Sequence, residues 1–246
     1  MMVRTLGESP DSGFLGSFSV MPNPNINQPK MPQPLSSVLF ESVPIIMCNA
    51  GDRPLRHNPM LGLLAMEAII SWSNFELFML NAYLELMGGK KELAAIGYLA
   101  IEIQSAKIAM TRAIAKERLN DKYYDLLDVI LSLAKSSQKS RDKLAHWLWG
   151  YTPRLKDAFL LADPKDMATM DLFHLDTEKI YVFNEKDFND IIKLNDRLCG
   201  FGANFRYILM GHSANEGDAL YHKLCGEPEI QERRAARQAS QTQSPQ

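Results

Sequence analysis

The sequence predicts a mainly α fold, an antiparallel helical bundle with a small β hairpin or sheet inserted after the third helix. Three observations carry that expectation. Apolar residues return at helical spacing in three successive long runs between Asn58 and Ala145, and the joints between those runs are short. After His146 the texture changes to short aromatic or apolar runs bounded by Gly, Pro, Asn and Asp, which is strand punctuation.

Nine of the thirteen prolines fall between Pro10 and Pro59, so residues 1–56 are expected to be a proline-rich, largely irregular extension. Within it the stretch LSSVLFESVPIIMCNA is apolar enough to lie along the main domain or a partner as an extended arm. The helical domain is expected over 57–212. Asn58-Pro59 starts its first helix, which runs to Leu86 before Gly88-Gly89 stops it. A second helix is expected from Lys90 to Leu119. The third follows Asn120-Asp121, with Tyr123, Leu126, Leu127, Ile130, Leu133 and Ala134 as its stripe. Strands are expected near 147–183, in WLWGYTP, DAFLLADP and KIYVFNE. A closing helix begins near Glu185 with Phe188, Ile191, Leu198 and Phe205 on one face. Residues 213–246 turn polar and are expected to be a disordered tail.

A net charge of −2 over 246 residues argues against a chain that coats nucleic acid with positive charge, so any RNA contact must be local. Cys48, Cys199 and Cys225 are too few and too scattered for a zinc set or a disulfide framework, which points to a reducing compartment. The start of the chain lacks a secretory core, and no long charge-free stretch stands out. The expectation is a cytoplasmic protein without a membrane segment, metal or cofactor.

The chemistry-bearing group is Arg141-Asp142-Lys143-Leu144-Ala145-His146. Histidine titrates near neutrality and suits removal of a proton from a ribose 2′-OH, while a guanidinium holds a phosphate as charge builds on it. On one unbroken helix Arg141 and His146 would point roughly 140° apart. Convergence would need a helix break at SSQKS, with Ser140 capping a new turn, or a second subunit. Asp142 stands four residues before His146 and could orient its ring. Glu76 falls within the apolar stripe of the first helix and could anchor Arg141, with Asn74 as a lesser candidate nearby. The plainer alternative is that Arg141 and Asp142 are surface charges, His146 closes a helix and Glu76 is an interhelical bridge. Trp147, Trp149 and Tyr151 alternate as on a strand and could stack a base or form core. His174, His212 and His222 lack ligand spacing, and Glu227, Glu229 and Glu232 offset the tail arginines Arg233, Arg234 and Arg237.

The Arg141-x4-His146 motif, with an acidic residue directly after the arginine and three long helices around it, resembles the HEPN superfamily of helical toxins, defence proteins and CRISPR-associated ribonucleases. The resemblance covers roughly residues 57–147. It implies a metal-independent endoribonuclease of a toxin or anti-phage kind, acting on RNA as a homodimer and leaving a 2′,3′-cyclic phosphate, with an antitoxin or other protein as a further partner. Arg141 and His146 would be its catalytic pair. The tyrosine by which some such toxins are silenced is absent, since Leu148 stands there. Other readings are a non-catalytic dimerisation or interaction module and a nucleotide-binding sensor.

Overall fold

The computed structural model describes residues 32–39, 44–47, 53–170, 175–211 and 214–242. In chain order the elements are β1 (Gln33–Pro34), α1 (Leu35–Val38), β2 (Ile46–Met47), a 3₁₀ turn (Pro54–Arg56), α2 (Pro59–Met87), α3 (Lys91–Leu99), α4 (Gln104–Arg118) and α5 (Asp121–His146). Then come β3 (Leu148–Tyr151), β4 (Ala158–Ala162), α6 (Pro164–Thr169), β5 (Ile180–Asn184), α7 (Glu185–Leu209), α8 (Ala214–Cys225) and α9 (Pro228–Thr242). The chain is mainly helical, with a small antiparallel sheet.

Three asparagines open the long helices. The Asn58 side chain accepts from the Leu61 N–H at 3.0 Å, and that of Asn120 from the Tyr123 N–H at 3.1 Å. Asn184 and Asp187 form a reciprocal capping box at α7. At the far end of α2, Gly88 takes a φ of 64°, a backbone turn that favours glycine.

The expected helix from Lys90 to Leu119 is two helices, broken at residues 100–103. Ala94 and Tyr98 are the buried positions of α3, whereas Ile108, Thr111 and Ala115 are those of α4. On one straight helix these two sets would point roughly 90° apart by the 3.6-residue period. The break lets Tyr98 meet Tyr83 at 4.9 Å while Ile108 and Ala115 reach the main core.

The helices do not simply alternate in direction. Asn195 of α7 meets Ala68 and Ser71, Gly202 sits against Phe78 and Arg206 approaches Glu85, so α2 and α7 run parallel. Leu144 of α5 packs near Leu61 while Ser137 meets Asn195, so α5 runs against both.

All three expected strands are present, and the proline-rich arm adds the two edges, giving the order β1-β5-β4-β3-β2. Alternate residues of the sheet serve two cores. Phe159, Leu161 and Phe183 face Leu61, Ala65 and Phe188, while Leu160, Ala162 and Ile180 are covered by Leu35 of the arm. Gly150 permits the arm to cross, because a Cβ there would lie 2.5 Å from the Ile46 carbonyl oxygen and clash with the Met47 sulfur.

The C-terminal stretch is helical up to Thr242, not the structureless tail its composition suggests. Ile230 and Leu224 are fully buried, and Arg197 holds Glu227 and Glu229 at 2.8 Å each. A few anchors plus ion pairs replace the apolar stripe that a sequence search looks for. One further difference concerns α2, which is long and apolar enough by length and composition to cross a membrane, with 33% of its most apolar window buried. Here it is the helix against which α3, α4, α5 and α7 pack.

Candidate functional site at the end of α5

The motif residues occupy the last two turns of α5, which runs without interruption from Asp121 to His146. No break occurs at SSQKS, because its serines bond backward. The Ser136 hydroxyl donates to the Leu133 carbonyl at 2.8 Å, and that of Ser140 to the Ser136 carbonyl at 3.4 Å, so neither caps a new turn. Arg141 and His146 therefore diverge within one chain, by the roughly 140° that five helical residues impose.

Arg141 follows the half-buried side of α5, and its Nη1 donates to Asp142 Oδ1 at 3.1 Å. His146 is exposed on the outward side. Asp142 is thus engaged by the neighbouring guanidinium, and no hydrogen bond joins it to His146 as the four-residue spacing led one to expect. The expected Glu76–Arg141 pair does not form either. Leu61, Ala65 and Ala68 are the α2 residues beside the end of α5, and Glu76 lies two turns beyond them. It is half-buried and acts instead on Tyr98, whose phenol is pushed up to about 12 by burial first, then by Glu76 and Tyr83. Asn74 is exposed and distant from the motif.

What the structure does assemble around His146 is a cationic face. Lys135, Lys139 and Lys143 stand four residues apart on the outward side of α5, and His146 follows three residues later. The Lys143 ammonium lies 4.8 Å from the Trp147 ring and 5.6 Å from that of Tyr181. Burial, reinforced by the charge of Lys139, lowers its pKa below the ordinary lysine value. No acidic side chain among the described residues is ion-paired with Lys135 or Lys139. Trp147 and Tyr181 form a tilted pair at 5.5 Å beside this face. Trp149 belongs to the core, donating from Nε1 to the Leu144 carbonyl at 3.1 Å and packing on Phe159 and Phe188. The Tyr151 ring is stacked on His57 at 3.7 Å. Of the three alternating aromatics, only Trp147 is placed to meet a ligand on this face.

A buried polar cluster went unnoticed in the sequence. Ser137 donates to the Asn195 side-chain oxygen, and the Asn195 amide donates to Ser71 Oγ at 2.7 Å and to the Ala68 carbonyl at 3.2 Å. All three side chains lie in the core, one turn from Arg141. An asparagine on the Phe188, Ile191, Leu198 face was the available signal. A cavity of about 390 Å³ lies at the opposite end of α2, lined by Glu85, Gly88, Arg118 and Leu209, roughly 35 Å along the helix from Leu61.

His174, His212 and Cys48 lie outside the described residues. Cys199 and Cys225 are free, and burial, with Asp196 second, pushes the Cys199 thiol up to about 11. That thiol is a poor nucleophile at neutral pH. Among the described residues no three His, Cys, Asp or Glu side chains gather as a metal set. No family model, no curated protein and no solved structure matches the chain.

Proposed function

We propose that the chain is a metal-independent endoribonuclease that holds RNA along the cationic face of α5. The observation that carries this reading is the placement of an exposed imidazole, His146, at the end of a line of lysines and beside the Trp147–Tyr181 pair. Lys135 and Lys139, with no ion-paired acid among the described residues, attract a phosphate backbone, and the half-buried Trp147 ring offers a base part of its surface on which to stack. His146 then takes the proton from a ribose 2′-OH, the 2′-oxygen attacks phosphorus and the P–O5′ bond breaks, the 5′-oxygen taking a proton from water while His146 returns its own to solvent, so the products are a 2′,3′-cyclic phosphate and a 5′-hydroxyl. Arg141 would steady the phosphorane charge from a second copy, since on its own helix it points elsewhere. Asp142 holds that guanidinium at 3.1 Å.

The test is cleavage of end-labelled RNA in EDTA. His146→Ala and Arg141→Ala should each abolish cutting with melting temperature unchanged, and mixing the two inactive variants should restore part of it. If the single variants cut as well as the parent, the reading fails. The divergence of Arg141 and His146 on one helix favours a second reading, an RNA- or protein-binding module without turnover. Its signature is saturable RNA binding with no products.

A further inference from the structure

The outward side of α2 presents large apolar side chains to solvent. Met60, Leu63, Met66, Ile70 and Leu77 are each between 45% and 73% exposed. Beside the C-terminal half of α2, where α3 packs through Tyr83 and Tyr98, Leu93, Ile96 and Leu99 add exposures of 62% to 66%. Together these side chains offer on the order of 1,000 Å² of apolar surface, above the roughly 300–600 Å² of the largest patch on an ordinary monomer. A standard interface needs about 800 Å² from each partner. The area therefore suffices for a stable dimer.

We infer that this face binds a second copy of the same chain, with the two α2 helices antiparallel about Ile70. The pattern is self-complementary about that residue. Leu63 and Leu77 each stand seven residues from Ile70 and share its side of the helix. A two-fold axis at Ile70 sets Leu63 against the partner's Leu77 and Ile70 against the partner's Ile70. The same axis brings Glu67, exposed beside the stripe, to the flank and level of the partner's Asn74, so a carboxylate meets an amide donor. A lipid surface is a poorer fit, since no lysine or arginine occurs from Met60 to Leu77 and Glu67 repels anionic headgroups.

This contact is separate from the one the ribonuclease reading requires. Leu144, near the end of α5, packs on Leu61, Ala65 and Ala68, which lie on the side of α2 turned away from the stripe. The two can therefore fail independently.

The experiment measures particle mass by light scattering on the full chain, with no RNA present. Leu63→Glu should halve the mass of the parent. Adding Leu77→Arg to that variant should restore it, because the two-fold sets the introduced charges against each other across the interface. Within one chain the two positions are roughly 21 Å apart, so no local ion pair imitates the rescue. Circular dichroism should remain that of the parent throughout, since both sites are exposed. A parent of single-copy mass at micromolar concentration would overturn the inference, as would a mass indifferent to Leu63→Glu. Loss without rescue by Leu77→Arg would overturn the antiparallel arrangement. Flotation of a single-copy parent with phosphatidylcholine vesicles would reassign the stripe to lipid.

Discussion

The two halves of α5 carry the same kind of outward face and treat it in opposite ways. Asp125, Asp128, Ser132, Lys135, Lys139 and Lys143 follow one another at steps of three or four residues, so they form one line. The first half of the line is covered by α9. Arg234 meets Asp125 at 2.8 Å, Arg237 pairs with Asp128, and Arg233 donates to Ser132 Oγ at 2.8 Å. The second half carries three lysines, and among the described residues Lys135 and Lys139 have no ion-paired acid from another helix. Charge that is neutralised within the chain builds structure, and charge left without an acidic partner marks a face for something outside it.

Just past the change of sign, on the inward side of the helix, Ser137 pins α5 to Asn195, which in turn holds Ser71. Asn195→Leu strands the buried Ser137 hydroxyl, while Ser71 keeps its bond to the Ala68 carbonyl at 3.1 Å, and should cost about 1–3 kcal/mol, read as a lower denaturant midpoint with unchanged slope. An unchanged midpoint would show that the cluster does not hold the halves in register. Next in size is Asp128→Ala, which deprives both Arg112 and Arg237 of a carboxylate. A loss of about 1–2 kcal/mol is expected, smaller in high salt. Equal loss at all salt concentrations would mean that Asp128 holds α9 by packing and not by charge.

The cationic half should respond differently. Lys139→Ala with Lys143→Ala ought to leave stability within about 0.5 kcal/mol of the parent. It should also flatten the salt dependence of RNA binding by about 0.7 in log–log slope per lysine. If affinity is unaffected, RNA does not lie on this face. The smallest effect concerns the depressed ammonium of Lys143. A base whose folded pKa is lowered weakens the folded state fully below that value, and the penalty vanishes above the unfolded pKa. Lys143→Met should thus raise Tm slightly at pH 7 and lose its advantage near about pH 11.

Legibility in the sequence followed physical cause. Caps are written in single residues, and Asn58 and Asn120 marked their helices because a side-chain oxygen is needed there. The three central strands were legible from period and punctuation, whereas the two-residue edge strands of the arm were too short to show either. The break after Leu99 was not, since no glycine or proline makes it and only the directions of the Tyr83 and main-core contacts require it. Helices α8 and α9 were hidden because ion pairs, invisible to a hydrophobic period, hold them. At the candidate site the angle between Arg141 and His146 was legible, but the backward bonding of Ser136 and Ser140 was not. Glu76 stands out in the sequence as a carboxylate within an apolar stripe, yet its neighbour is Tyr98 and not Arg141.

The arm that completes the sheet has a consequence in time. Gln33 pairs with Val182 and Met47 with Gly150, so both edges are closed by chain synthesised long before its partners. On the ribosome the arm waits until β5 has emerged, and until then Leu35 has no sheet to cover. Pairing across so much intervening chain is slow to find. A chaperone or a partner that holds the arm during this interval would govern the yield of folded protein, and a chain cut before Gln33 should show a slow refolding phase, the docking of the arm, that one cut after Met47 lacks.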